Sequence, residues 1–149
     1  MAGKGGPHVN FQNSAEVFKD AYDGLRRSRI AVESYLHRAL ARSDTLSKLP
    51  ITVRYVPIAM PDMLLPRYPA RSKLRKKERL YDCAPQLNYR VFVSGTFEEQ
   101  LREYLRGLAD AVPHLKDLGA NDDQVKEFEN VLHRAVSEIL ASEIGQTRH

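Results

Sequence analysis

Hydrophobic residues recur with helical spacing at both ends of the chain and with strand spacing only in its middle. The N-terminal stripe runs from Phe18 to Leu40 at intervals of three to four residues, with an interruption at Arg29, and a second stripe runs from Val125 to Leu140. Between them, residues 51–55 alternate apolar and polar side chains, as expected for a strand with one buried face. Strands that are grouped, and do not alternate with helices, favour an α+β fold with an antiparallel sheet.

The predicted architecture is a long N-terminal helix, a small antiparallel sheet of two or three strands, and two C-terminal helices packed on the sheet. The predicted strands are residues 51–55, residues 80–84 and residues 87–93, and the last of these has the clearest alternation. Four prolines exclude a regular helix from residue 57 to residue 69. Residues 70–78 are predicted to form either a short basic helix or a loop.

Polar residues at capping-box spacing predict where the helices begin. These pairs are Asn13 with Glu16, Thr96 with Glu99, and Asn121 with Gln124. Within the first helix, Gly24 indicates a bend or a close contact with another element. The single α+β domain is predicted to span residues 13–145, after a Gly-rich, disordered tail of residues 1–12.

Length and cysteine content limit the class of protein. A chain of 149 residues is typical of one domain that needs no disulfide or metal for its core. The single cysteine, Cys83, excludes an intramolecular disulfide, which is typical of a reducing compartment. No segment reaches the ~20 apolar residues of a membrane span, and the N-terminus does not resemble a signal peptide. We therefore expect a cytoplasmic protein with no membrane partner.

Charge is distributed unevenly along the chain, whose net charge is +4. Residues 51–95 carry 9 Lys/Arg against 3 Asp/Glu, whereas residues 96–149 carry 6 against 11. Charge polarisation of this kind can steer a complementary partner. Alternatively, the two regions face each other in the fold and cancel.

Most of the Lys and Arg residues in this middle region lie in the basic segment, residues 67–79, where Glu78 is the only acid. One interpretation is a solvated loop. The other is contact with phosphate or with an acidic protein surface, since arginine suits planar anions and tyrosine stacks on bases or anchors interfaces. On this second interpretation the candidate partner-binding residues are Arg67, Tyr68, Arg71, Lys73, Arg75, Lys76, Lys77 and Arg79.

The acidic last third provides a second candidate surface. Glu98, Glu99 and Glu103 lie on a predicted helix and form a possible platform for a basic partner such as a nuclease. The alternative is an ordinary solvated helix face, on which acidic residues near the helix start complement the helix dipole.

No catalytic or metal site is predicted, and the chain is not expected to be an enzyme. A lone cysteine in a strand, such as Cys83, is typical of a small buried side chain. The rival hypothesis is a catalytic thiolate acting with Asp82 and a distant histidine. Cys and His residues lack zinc-site spacing, and no Gly-rich phosphate loop follows a strand. We therefore predict no cofactor and no small-molecule substrate.

Three runs, ITVRYVPIAMP, YPARSKLRKKERLYDCAPQLNY and VFVSGTFEEQLREYLRGL, resemble cytoplasmic immunity proteins of bacterial polymorphic-toxin and contact-dependent growth inhibition systems. The resemblance covers roughly residues 15–140. It implies a protein that binds one cognate toxin domain, often a nuclease, and blocks it.

Immunity proteins to nucleases are frequently acidic, whereas this chain is basic overall. If the resemblance holds, either the acidic C-terminal helices contact the toxin or the toxin presents an acidic patch to the basic segment. The alternative function is a nucleic-acid-binding module that uses residues 67–79 on phosphates.

Overall fold

The structure, a computed structural model, describes residues 6–12, 19–67 and 71–147, without the side chains of residues 65, 67 and 143–147. Helices and one sheet pack together, which confirms the α+β class. The described elements are β1 (His8–Phe11), α1 (Lys19–Arg42), β2 (Thr52–Tyr55), β3 (Lys73–Arg75), β4 (Leu80–Cys83), α2 (Tyr89–Ser94), α3 (Phe97–Leu108) and α4 (Asp122–Thr147). Short 3-10 segments occupy Asp62–Arg67, Lys76–Glu78, Ala109–His114 and Lys116–Leu118.

The described sheet has four strands in the order β1-β2-β4-β3. β2 is parallel to both β1 and β4, and only β3 is antiparallel to its neighbour β4. The prediction of two or three antiparallel strands is therefore wrong in number and in direction. Parallel strands need a long crossover, and α1 is the crossover between β1 and β2. Because β1 was not predicted, nothing in the sequence indicated that α1 connects two parallel strands.

β1 lies inside the tail that was predicted to be disordered, so that prediction is wrong for His8–Phe11. Val9 and Phe11 are buried, and they pair with Val53 and Tyr55 of β2. Two buried side chains and a full ladder of backbone hydrogen bonds order this segment despite its Gly-rich surroundings. Residues 1–5, and the Asn13 and Glu16 pair with Phe18, lie outside the described residues.

The predicted strand over residues 87–93 is also wrong, because Tyr89–Ser94 is helical. Asn88 caps this helix, accepting a hydrogen bond at its Oδ1 from the backbone N–H of Arg90 at 3.1 Å. Phe92 is the only buried residue of this helix, whereas Val91 is partly buried and Val93 is exposed. The alternating pattern of residues 87–93 therefore does not reflect a strand with one buried face. Residues 70–78, predicted as a helix or a loop, instead contain β3 and a 3-10 turn.

Several local predictions are confirmed. Thr96 and Glu99 form a reciprocal capping box at the start of α3. Asn121 and Gln124 exchange side-chain hydrogen bonds of 2.8 and 2.9 Å with each other's backbone N–H groups at the start of α4. Gly24 makes a close contact, since a Cβ there would lie 2.6 Å from the carbonyl oxygen of Phe92.

α3 covers one face of the sheet. The Tyr55 hydroxyl of β2 donates a 2.6 Å hydrogen bond to the carbonyl oxygen of Tyr104, and the two rings meet edge to face at 5.0 Å. Phe11 of β1 joins them, with its ring centroid 6.0 Å from that of Tyr55. α4 packs mainly on α1, α3 and the Ala109–His114 turn, so only one of the two C-terminal helices packs on the sheet as predicted.

Gly107 is the position at which α3 approaches the sheet most tightly. A Cβ at this position would overlap the Tyr55 hydroxyl and lie 2.6 Å from Leu87 and 2.9 Å from Pro85. A Gly107→Ala substitution is therefore expected to lower the free energy of unfolding by about 1–3 kcal/mol through overpacking. Urea denaturation followed by circular dichroism measures the change.

Gly6→Ala is the matched control, because a Cβ there meets only ordinary contacts at 3.8 Å or more. Its effect is expected to stay within about 0.5 kcal/mol. Equal unfolding midpoints for the Gly107→Ala variant and the unchanged protein would contradict the tight approach of α3 to the sheet.

Candidate functional site

The basic segment folds into a hairpin at one edge of the sheet. β3 and β4 are joined by the Lys76–Glu78 turn, and residues 71–83 are called the basic hairpin below. Arg79 ends the turn in the left-handed conformation, with φ of 51°. Its backbone N–H donates to the Lys76 carbonyl at 3.1 Å, and its carbonyl accepts from Thr52 at 2.9 Å. The first bond closes the turn, and the second fixes it to β2, one of the two inner strands of the sheet.

Asp82 ties the hairpin to β2 on the face of the sheet opposite α3. Its carboxylate accepts hydrogen bonds from Arg54 at 2.7 and 3.2 Å and from Arg75 at 3.0 Å. Glu78 lies 3.9 Å from Arg75. Arg75, one of the predicted partner-binding residues, is therefore engaged within the chain and holds the hairpin in place.

Burial raises the pKa of the Asp82 carboxyl, but the hydrogen bonds from Arg54 and Arg75 outweigh burial and hold that pKa below its ordinary value of 3.8. A carboxylate with a lowered pKa stabilises the folded state above the ordinary pKa, and this stabilisation is lost as the pH falls through the lower, folded pKa. The attachment of the hairpin is therefore sensitive to acid.

Five cations of the basic hairpin point into solvent. None of them lies within 4.0 Å of a carboxylate oxygen of another described residue, in contrast to Arg75. These exposed cations are Arg71, Lys73, Lys76, Lys77 and Arg79. The other two predicted residues of this surface, Tyr68 and the side chain of Arg67, lie outside the described part of the chain.

The sheet face that carries Asp82 is polar and none of its side chains is fully buried. Register places the following residues on it: His8, Asn10, Thr52, Arg54, Lys73, Arg75, Leu80 and Asp82. The aromatic side chains of the strands, among them Tyr55 and Tyr81, lie on the opposite, buried face. The described strands thus present cations on this surface without a Phe or Tyr ring on which a base could stack.

The three predicted acidic residues lie on α3, and each is engaged locally. Glu98 pairs with Arg102 at 2.7 Å, and Glu99 accepts from the Thr96 backbone N–H at 2.8 Å. Glu103 has its side chain only 14% exposed and pairs with Arg106 at 2.7 Å. The structure therefore does not bring these acids together with the basic hairpin, and they do not form a free acidic platform.

Glu103 also anchors α2, because its Oε2 accepts a 2.7 Å hydrogen bond from the backbone N–H of Asn88. Burial raises the pKa of this carboxyl, yet the hydrogen bonds from Arg106 and Asn88 together lower it below its ordinary value. Its charge therefore serves to hold α2 and α3 together.

Cys83 lies on the buried face of β4, whereas Asp82 lies on the other face. The thiol is 3.5 Å from the carbonyl oxygen of Gly107, to which it donates, and burial raises its pKa to about 12. The imidazole of His114 stacks on Tyr81, with ring centroids 4.4 Å apart. The geometry thus separates the cysteine from the aspartate with which the rival hypothesis paired it.

Arg54 and Asp82 are the residues of this surface that sequence reasoning missed. Arg54 lies on the outward face of β2, as the alternation in residues 51–55 implies, and the pairing of β2 with β4 places it against Asp82. That pairing joins strands separated by the irregular segment, and no local pattern specifies it. Alternating faces in residues 80–84 were the one available signal that Asp82 points outward.

No group of three metal-binding side chains occurs among the described residues, and no described helix is long and apolar enough to cross a bilayer. Comparison with protein-family models, with curated proteins and with solved structures finds no match for this chain. The basic hairpin and its charges are therefore the main basis for assigning a function.

Replacement of Asp82 tests how the hairpin is held. Asp82→Asn removes the charge shared by two half-exposed arginines, so the free energy of unfolding is expected to fall by about 1–2 kcal/mol at neutral pH. As the pH falls below the ordinary pKa of 3.8 towards the lower pKa of the folded state, the native protein progressively loses this stabilisation, and the difference between the two proteins is expected to shrink. Urea unfolding at about pH 7 and about pH 3 measures both effects.

Asp44→Asn is the control, because Asp44 is exposed and has no ion pair with another described residue. A stability loss for Asp82→Asn that is the same at both pH values would contradict the role of the Asp82 charge.

Proposed function

We propose that this chain is a binding protein that docks its basic hairpin onto an acidic surface of a protein partner. In line with the resemblance to immunity proteins, the proposed partner is a bacterial toxin domain, which the chain neutralises by occlusion. The observation that supports this proposal is the set of five exposed cations on a hairpin fixed to the central sheet.

A fixed hairpin favours binding because little conformational entropy is lost when it docks. Three sets of interactions constrain the hairpin. They are the ladder hydrogen bonds between β3 and β4, the bond from Thr52 to Arg79, and the bonds that the Asp82 carboxylate accepts. Arg79 is the only described residue other than glycine with a positive φ, and strained backbone of this kind is concentrated at functional sites.

The ion pairs of the two predicted surfaces favour the basic hairpin over the acidic residues of α3 as the candidate for docking. Glu98 and Glu103 already satisfy arginines of their own helix, and Glu99 caps that helix, so a basic partner would have to displace these bonds. The exposed cations of the hairpin have no ion pair with another described residue that a partner would need to displace. The proposed toxin surface is accordingly acidic, and the chain would block access to the toxin without mimicking nucleic acid.

A second candidate function is nucleic-acid binding through the same cations. Phosphate contacts need only exposed Lys and Arg side chains, which the basic hairpin supplies. The polar sheet face lacks a Phe or Tyr ring among the described strand residues, which favours the protein partner over single-stranded nucleic acid.

Charge reversal on the turn separates docking from folding. Lys76→Glu/Lys77→Glu changes two exposed side chains that have no ion pair with another described residue, so the unfolding midpoint is expected to stay nearly unchanged. The proposed toxin is the product of the neighbouring upstream gene, and its co-expression with the unchanged protein is expected to allow growth. The reversed variant is expected to protect poorly and to bind the toxin at least about tenfold more weakly.

The matched control is Lys48→Glu/Lys126→Glu, which makes the same change in charge at two exposed positions away from the hairpin. It is expected to protect cells fully. If the unchanged protein gives neither protection nor a complex with the toxin, the immunity proposal is wrong.

The salt dependence of DNA binding tests the second candidate function, nucleic-acid binding. If the hairpin binds phosphates, the affinity for a labelled DNA duplex should fall between about 50 and 200 mM salt with a log–log slope near −0.9 per contact. The Lys76→Glu/Lys77→Glu variant tests phosphate binding better than replacement of Arg75, because loss of Arg75 would also remove its ion pair with Asp82 inside the hairpin. No binding at the lowest salt concentration would exclude this function.

A further inference from the structure

α1 carries an uncovered ridge that is unrelated to the basic hairpin. Five side chains at four-residue intervals lie along one side of the helix, and all are exposed: Tyr22, Arg26, Ile30, Ser34 and Arg38. The two large hydrophobic residues among them, Tyr22 and Ile30, are 47% and 46% exposed. Water contact with both side chains is unfavourable, and a partner that covered them would gain hydrophobic free energy.

A groove runs beside this ridge between α1 and α4. Its main part has a volume of about 710 Å³ and is lined by apolar atoms of Ile30, Ala31, Phe97 and Ile139. A smaller cavity of about 340 Å³ shares Tyr35, Arg38 and Glu138 with it and extends it to Ser43. From residue 23 to residue 43 the groove follows α1 for about 30 Å, since an α-helix rises 1.5 Å per residue.

The rim of the groove is predominantly basic. Five arginines line the two cavities (Arg26, Arg27, Arg38, Arg42 and Arg134), against three acids (Asp23, Glu127 and Glu138). Arg134 is 3.8 Å from Glu138, and Arg27 is held by Gln100 and by the face of the Phe97 ring. Arg26 and Arg38 have no ion pair with another described residue, and both lie on the same ridge of α1 as the exposed Ile30.

From this arrangement we infer that the groove binds an acidic amphipathic helix of a protein partner. A helix laid between α1 and α4 would cover Tyr22 and Ile30 with its apolar side and place acidic residues against Arg26 and Arg38. The length of the groove matches about 20 residues of helix, or between five and six turns.

Charge and chemistry disfavour the other occupants. A second copy of this chain, docked across a twofold axis, would place one arginine-rich rim against another, and like charges in an interface are costly. Nucleic acid would leave the apolar centre of the groove without a matching surface. The groove lies between α1 and α4, whereas the basic hairpin lies at the β3 edge, so this inference goes beyond the proposed function and adds a second docking surface.

Selection from a phage-displayed library of amphipathic helices tests the inference with defined probes. The peptides are about 20 residues long, with Leu along one side and with Asp, Glu, Lys, Arg and Ser allowed at the other positions. Peptides that bind the unchanged protein are expected to be enriched in Asp and Glu. Their affinity is expected to fall at least about tenfold for Ile30→Asp and again for Arg26→Glu/Arg38→Glu.

Matched controls keep the result interpretable. His37→Asp introduces the same acid at another exposed position of α1 that does not line the groove, and Lys48→Glu/Lys126→Glu repeats the double charge reversal elsewhere. Both controls are expected to retain peptide binding. Lys76→Glu/Lys77→Glu is also expected to retain it, which separates this surface from the basic hairpin.

Three outcomes would overturn the inference. They are the absence of any enriched peptide, enrichment of basic peptides, and binding that survives both groove variants. Sedimentation analysis supplies a further check, because a dimer that Ile30→Asp dissociates would identify a second copy of the chain as the occupant.

Discussion

The contact between α3 and the sheet is the constraint on which the rest of the structure depends. The Tyr55 hydroxyl reaches the backbone of Tyr104, and Gly107 allows the helix to come close enough for that bond. Because the ring of Phe11 packs against the same two tyrosines, the contact also holds β1 in place. The register of the strands and the outward direction of Asp82 follow from a sheet that is buried on this one face.

Charged residues perform two distinct tasks in this protein. Some of them hold elements together: Asp82 fixes the hairpin to β2, and Glu103 joins α3 to the start of α2. Others, such as Lys76 and Arg38, have no ion pair with another described residue. A count of charges along the sequence cannot separate these tasks, because the same residue types serve both. Cations without an ion pair to another described residue occur on both candidate docking surfaces, the hairpin and α1.

Local signals were reliable at two helix caps and in residues 51–55, but not in residues 87–93, where strand-like alternation lies in a helix. The caps at Thr96 and Asn121 and the alternation in residues 51–55 were read correctly, since each depends on side chains within a few positions. β1 and α2 were missed because distant residues specify them. β1 is ordered by its pairing with β2, and α2 by hydrogen bonds to Asn88 and by the Gly24 contact. For the candidate site, the cations were identifiable by composition, but the partners of Arg54 and Arg75 required the register of the sheet.

The position of β1 at the outer edge of the sheet has a consequence for any shortened form of the protein. The first residues look dispensable by composition, yet their removal would strip the ladder partner from Val53 and uncover Tyr55. An uncovered apolar strand edge is a template for pairing with other chains. Trimming the N-terminus would therefore yield a molecule prone to self-association, in which precipitation could be mistaken for a property of the intact chain.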